Sequence, residues 1–208
     1  MSRFQTEQEQ FWSGTFGDDY VARNSDELSI SSNTALFSKI LTRTYPISSL
    51  LEIGANIGLN LQAIQQLLPQ VKLSAIEVNQ KAVEELKKMG GVTVYHQSIL
   101  DFQETDKFDF TLTKGVLIHI NPDYLHQVYD LLYERSNRYI CIAEYYNPTP
   151  VTVNYRGHQE RLFKRDFAGE MLDQFSDLHL VDYGFVYHRD NNFPQDDMTW
   201  FLLEKSKN

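Results

Sequence analysis

Two carboxylates and two glycines stand at spacings that can do chemistry. Glu52 precedes Gly54 by two positions, Gly58 follows, and Glu77 ends the next apolar run, Val71-Lys72-Leu73-Ser74-Ala75-Ile76. Glycines at such a turn either take positive φ or let a ligand approach the backbone. A carboxylate at a strand end can accept hydrogen bonds from both hydroxyls of a ribose. A carboxylate just before the glycine turn repels a pyrophosphate and attracts an ammonium. The turn reads G-x-x-x-G with Asn56 inside it, not the G-x-G-x-x-G of a dinucleotide site, and no Gly-Lys-Ser/Thr follows to make a phosphate loop. The ligand that suits these residues has a ribose and a cationic amino-acid end and lacks phosphate. S-adenosylmethionine fits that description.

A strand, a tight turn and a helix must position them. Leu50, Leu51 and Ile53 form a short apolar run bounded by turn formers, as a buried strand does. A helix follows with Leu59, Ile64, Leu67 and Leu68 on one side, and Pro69 stops it. After Glu77, Asn79 is placed to cap a helix with Ala82, Val83, Leu86 and Met89 inward, ended by Gly90-Gly91. Val92–His96 and Lys107–Leu112 read as the third and fourth strands, and Arg138–Tyr146 as the fifth. Asn121-Pro122 opens a helix whose apolar stripe is Leu125, Val128, Tyr129 and Leu132. Leu180–Arg189 and Met198–Glu204 read as consecutive strands with no helix between them.

Further chemistry gathers at later strand ends, where ligands bind in an open parallel sheet. Lys114 and Gly115 follow the fourth strand and would flank the reactive centre. His119, just before the Asn121 helix, either removes a proton from an acceptor or packs beside the cofactor without chemistry. Glu144, Tyr145 and Tyr146 end the fifth strand and are acceptor-pocket candidates. Asn147-Pro148-Thr149-Pro150 then breaks the pattern. The stretch from Asn154 to Phe167 carries Arg156, His158, Arg161, Lys164 and Arg165. It binds an anion through bidentate arginine contacts, or it is a solvated basic loop balanced by nearby acids. Asp166 is placed to cap the next helix.

The 208 residues suffice for one domain with a sizeable core. Residues 1–45 form an aromatic-rich segment with Phe4, Phe11, Trp12, Phe16 and Tyr20, and a helix from Ser31; residues 46–208 form the cofactor-binding core. A net charge of −9 argues against a non-specific nucleic-acid binder. Cys141 is the one cysteine and cannot make an internal disulfide; no Cys/His metal pattern, signal peptide or spanning apolar run is evident. A cytoplasmic setting follows, with no membrane or nucleic-acid partner, no metal and an undetermined oligomeric state.

The stretch Glu52-Ile53-Gly54-Ala55-Asn56-Ile57-Gly58, with Glu77, Phe108-Asp109-Phe110 and Ile118-His119-Ile120, resembles the class I S-adenosylmethionine-dependent methyltransferases. The family loop more often has glycine where Asn56 stands. The resemblance implies an α/β, Rossmann-like fold: a seven-stranded, mostly parallel sheet with helices on both faces and an antiparallel last strand. It implies S-adenosylmethionine as cofactor and S-adenosylhomocysteine as product. Glu52, Gly54, Asn56, Gly58, Asn60, Glu77, Val78, Ser98, Ile99, Lys114 and Gly115 would hold the cofactor. The family commonly has an acid for the adenine amino group just after the third strand. Here Gln97-Ser98-Ile99 stands there, leaving Ser98 or Gln97 to bond adenine and Ile99 to cover the ring. Segments before the first strand often close over the substrate in this fold: either Trp12, Tyr20 and Arg23 are lid residues near the acceptor, or the aromatics simply pack the helices onto the sheet edge.

A wider match joins Phe11-Trp12-Ser13-Gly14 with Phe16–Tyr20, Lys114–Pro122, Tyr155–His158 and Arg161–Glu170. These look like the methyltransferase family associated with pseudaminic acid biosynthesis. The resemblance implies methyl transfer to a small anionic acceptor, a nonulosonic acid or nucleotide sugar. The acceptor would meet Trp12, Tyr20, Arg23, Tyr145, Tyr146, Arg156, His158, Arg161 and Lys164. If a base is needed, His119 stands first, with His158, Tyr20 and Glu144 behind it. The alternatives are a non-catalytic module that binds S-adenosylmethionine and a methyltransferase acting on a peptide or protein.

Overall fold

The computed structural model describes residues 4–23, 27–155 and 158–206. Three helices precede the first strand: α1 (Glu7–Ser13), α2 (Thr15–Arg23) and α3 (Glu27–Leu41). Alternation in β1 (Ser49–Ile53) then sets up two cores. Leu51 and Ile53 face one side and Leu50 the other, and all three are fully buried. The chain continues through α4 (Leu59–Leu67), β2 (Lys72–Glu77), α5 (Gln80–Lys88), β3 (Val92–His96) and β4 (Phe108–Lys114). It then runs through α6 (Leu125–Arg135), β5 (Ser136–Glu144), β6 (Val151–Tyr155), β7 (His158–Lys164), α7 (Phe167–Gln174), β8 (Leu178–Val186) and β9 (Met198–Lys205).

Seven strands make one sheet in the order β3-β2-β1-β4-β5-β9-β8. Neighbours pair in parallel from β3 to β5, and β9 inserts antiparallel between β5 and β8. The expected architecture, including the antiparallel last strand, is present. One core packs α6 and α7 against Leu51, Ile53, Ile140 and Ile142. The other packs α3, α4 and α5 against Leu50, Leu73, Phe110 and Cys141. Burial pushes the Cys141 thiol up to about 12, so it is an inert core filler. The chain leaves β1 toward β2 and later returns to β4 on the other side of β1. The crevice of this sheet therefore opens at the carboxyl ends of β1 and β4.

Several boundaries differ from the sequence expectation. The basic stretch is not a loop: β6 and β7 form a separate two-stranded antiparallel ribbon. The prolines at 148 and 150 end the β5 extension, but Val151-Thr152-Val153 is β-branched and pairs at once with Leu162–Lys164. Helix α3 begins four residues before Ser31, and β4 runs two residues past Leu112. The turn after Asn121 is a single 3-10 turn, Pro122–Tyr124, before α6 begins. No helix among the described residues is long and apolar enough to cross a membrane.

Asn79 joins three elements. Its Oδ1 accepts the Ala82 N–H at 3.0 Å and caps α5, while its Nδ2 donates to the Trp12 carbonyl at 3.2 Å and to Asp18 Oδ1 at 3.0 Å. Asn79→Ala should therefore destabilise the fold by about 1–2 kcal/mol, lowering Tm by about 2–8 °C in a circular-dichroism melt; an unshifted melt would show that neither the cap nor the docking of α2 matters.

Candidate functional site

The glycine turn is built by backbone conformation. Gly54, Asn56 and Gly58 have φ of 72°, 48° and 82°, the left-handed region that side chains resist. A Cβ on Gly54 would lie 2.7 Å from Val116 Cγ2, and one on Gly58 would lie 2.7 Å from Leu86 Cδ2 and Met89 Sδ. Both glycines thus serve positive φ and tight packing. In the direction of a Cβ, the room they leave is filled by Val116, Leu86 and Met89, and Gly54 also lines the cavity described next.

Beside this turn is a cavity of about 670 Å³. Glu77 lines it. Its Oε2 accepts the Asn56 N–H at 2.7 Å and its Oε1 accepts the Asn79 N–H at 2.7 Å. Burial raises the Glu77 carboxyl, and those backbone donors oppose the rise. Each oxygen keeps acceptor capacity beyond these bonds. Glu52 is fully buried beneath the turn and does not reach the wall. Its Oε1 accepts from Asn60 Nδ2 at 2.6 Å, and its Oε2 has no hydrogen-bond partner among the described residues. Burial pushes its carboxyl up to about 8, against the pull of Asn60 and Lys114. Asn56 Oδ1 and Asn60 Oδ1 lack partners too, and both residues line the cavity. Two unpartnered amide oxygens, Asn56 Oδ1 and Asn60 Oδ1, thus face the cavity side of the turn, an arrangement suited to an ammonium.

At the end of β4, half-buried Lys114 lines the cavity. Burial lowers its ammonium, and the nearby Glu52, Asp196 and Glu144 oppose that shift. Glu144 Oε1 accepts the N–H groups of Val116 and Leu117, each at 2.9 Å, and burial pushes this carboxyl up to about 7. Glu144 faces the backbone of the β4 loop and is not a wall residue, contrary to its reading as an acceptor-pocket group or base. His119 does line the cavity, 4.6 Å from the Trp12 ring. Its Nδ1 lies 2.6 Å from the Arg161 carbonyl. A carbonyl only accepts, so Nδ1 carries the proton and Nε2 is the basic nitrogen. Burial pushes the imidazole down to about 4 despite that bond.

Helices α1 and α2 roof the cavity. Trp12 and Tyr20 line it and meet edge to face, 5.2 Å apart. Asp18 pairs with Lys81 at 3.0 Å, and Gln5 donates to Asp101 at 2.7 Å. Arg23 is exposed over the Phe16 ring, outside the wall. Val78, Ser98, Ile99, Gly115 and Tyr145 line the cavity, whereas Tyr146 packs against Phe201 away from it. Arg161 pairs with Glu7 at 2.9 Å, Arg165 with Glu170 at 2.6 Å, and Lys164 lies over the Tyr145 ring. Arg161 and Lys164 are absent from the wall, so the balanced-charge reading of the basic stretch fits them better. Arg156 and the side chain of His158 lie outside the described residues.

Sequence reasoning missed Glu9, Ser32, Asn33, His188, Gln195 and Asp196, all in the wall. One signal was readable: Thr6 and Glu9 form a capping box at the start of α1. It marks a helix start but not the face that helix presents.

No family model matches the sequence, and no curated protein sequence gives a significant match. Solved structures do match. A Burkholderia thailandensis 1,6-didemethyltoxoflavin-N1-methyltransferase with bound S-adenosylhomocysteine is 15% identical, with a TM-score of 0.69 over 100% of this chain and 93% of that one. The plantazolicin methyltransferase BpumL, also with S-adenosylhomocysteine, is 15% identical, with a TM-score of 0.66 over 96% and 95%. The magnesium protoporphyrin IX methyltransferase of Synechocystis PCC 6803, with bound S-adenosylmethionine, is 12% identical, with a TM-score of 0.66 over 99% and 100%. The fold is that of class I S-adenosylmethionine-dependent methyltransferases.

Glu52 and Glu144 make stability depend on pH. Their folded-state carboxyls stand above the ordinary value of 4.5, at about 8 and about 7. The stabilisation from holding these protons is complete below pH 4.5 and is lost as pH rises through those values. Glu52→Gln and Glu144→Gln should therefore gain Tm relative to wild type as pH rises from 5 to 8, by up to roughly 3–5 °C per pH unit for each proton. A melting difference that is constant across this range would refute the protonated state.

Proposed function

We propose that this chain is an S-adenosylmethionine-dependent methyltransferase acting on a small anionic acceptor, a nonulosonic acid or nucleotide sugar. One observation carries the cofactor: two unpartnered amide oxygens at the glycine turn, Asn56 Oδ1 and Asn60 Oδ1, stand beside Glu77 in a roofed cavity. When bound, S-adenosylmethionine supplies a methyl group activated on a sulfonium. Glu77 accepts from the ribose hydroxyls. Asn56 and Asn60 hold the ammonium, and Glu52 orders the Asn60 side chain from behind. Trp12, Tyr20 and Tyr145 exclude water from the acceptor end, and α1 with α2 acts as the lid. The acceptor class is supported by the sequence resemblance and by Lys114, the one lysine or arginine in the cavity wall among the described residues.

His119 Nε2 takes the proton from an acceptor hydroxyl or amine. A histidine held neutral is a weak base, so most of the rate comes from holding the nucleophile in line.

Calorimetric titration should show S-adenosylmethionine and S-adenosylhomocysteine binding and NAD not binding. Glu77→Ala should weaken cofactor affinity by about ten- to a hundredfold, as expected for lost hydrogen bonds to a charged group. An unchanged Kd would remove Glu77 from the site. A screen with methyl-labelled cofactor should then label nucleotide sugars or nonulosonic acids and not peptides; label on peptides alone would replace the acceptor class, and no label on any acceptor would favour a binding module.

His119→Asn should lower kcat with little change in cofactor Kd. Because burial holds the imidazole near 4, the wild-type kcat should fall only as pH drops through that value. An inflection between pH 6 and 7 that disappears in His119→Asn would show instead that the ring titrates as an exposed histidine.

A further inference from the structure

We propose that Glu9, on the N-terminal helix α1, reads the exocyclic amino group of the cofactor's adenine; this rests on the cofactor assigned above. The strand order lays out the floor of the cavity. Asn56 and Asn60 stand beyond β1, Glu77 ends β2, and Ser98 follows β3. A ligand with its ammonium at the turn and its ribose on Glu77 lays its base over the next strand end. There the sequence offers a serine and no acid.

The acid comes from above. Glu9 is 8% exposed and lines the cavity with Thr6 and Ser98. Its Oε2 accepts the Thr6 N–H at 2.7 Å and the Thr6 hydroxyl at 2.9 Å. Its Oε1 accepts the Ser98 hydroxyl. Ser98 in turn accepts the Leu100 N–H at 3.0 Å, so its proton and one lone pair are committed. A carboxylate has about four acceptor positions. Three are used here, and the fourth is on Oε1, beside Ser98. A position that only accepts selects a donor. The exocyclic amino group is the only hydrogen-bond donor on adenine, whose ring nitrogens accept. The adenine end is therefore incomplete until α1 is docked.

The test is calorimetry with S-adenosylhomocysteine and its 6-deamino purine analogue, in which hydrogen replaces the amino group. Wild type should prefer the amino form by about ten- to a hundredfold. Glu9→Ala should bring the two affinities together, and Glu9→Gln, which keeps the shape and a neutral acceptor, should leave an intermediate ratio. Gln5→Ala loosens α1 at its contact with Asp101, outside the wall, and should keep the wild-type ratio. Because each ratio is taken within one protein, a general loss of affinity cancels.

An unchanged ratio in Glu9→Gln and Glu9→Ala would overturn the inference. So would a collapse in Gln5→Ala equal to that in Glu9→Ala, which would assign discrimination to helix docking. If wild type binds neither compound, the cofactor assignment itself fails; if it binds both with equal affinity, the cofactor assignment stands and the role of Glu9 fails.

Discussion

Buried carboxyl groups at the ends of β2 and β5, the strands that flank the central pair β1 and β4, hold this site together. Glu77 ends β2 and collects the N–H groups of Asn56 and Asn79; Glu144 ends β5 and collects those of Val116 and Leu117. A buried charge is costly unless it is hydrogen-bonded, and a buried N–H is costly without an acceptor. Each carboxylate therefore stabilises the loop that crosses its strand end, and each loop stabilises the carboxylate. The glycine turn and the β4 loop also meet directly, because Val116 fills the space beside Gly54. The two loops that border the cavity are thus set as one piece.

The roof is attached to that piece through polar contacts. Asn79 caps α5 and holds α2; Ser98 caps the 3-10 turn Ile99–Asp101 and holds α1 through Glu9; the Arg161 carbonyl orients His119 while its guanidinium meets Glu7. Leu36, Phe37 and Ile40 of α3, by comparison, are in the core. Polar attachment of this kind opens at low cost, since water replaces each bond.

Solved structures with 12–15% identity share the sheet and its helices over nearly the whole chain. The likeness is one of fold, carried by the layout of the backbone and not by shared sequence. The cavity is also lined by residues of α1, α2, α3 and the loop before β9. Tertiary packing alone brings them to one cavity.

Legible in the residues alone were the strand–turn–helix unit, the succession of strands along the chain through β5, the antiparallel end and the placing of Glu77, Asn56, Asn60 and His119 at or just beyond strand ends. These follow from short-range physics: period-two burial, positive φ at glycine and capping by Asn79 and Asp166. The sequence did not determine what the long side chains do. Glu144 and Arg161 had the chemistry of site residues, yet one bonds a neighbouring loop and the other pairs with Glu7. Nor could it place Glu9 beside Ser98, eighty-nine positions away. The direction of a side chain at a strand end or on a short helix depends on which element packs across from it. That is a property of the assembled sheet and its roof, not of local spacing.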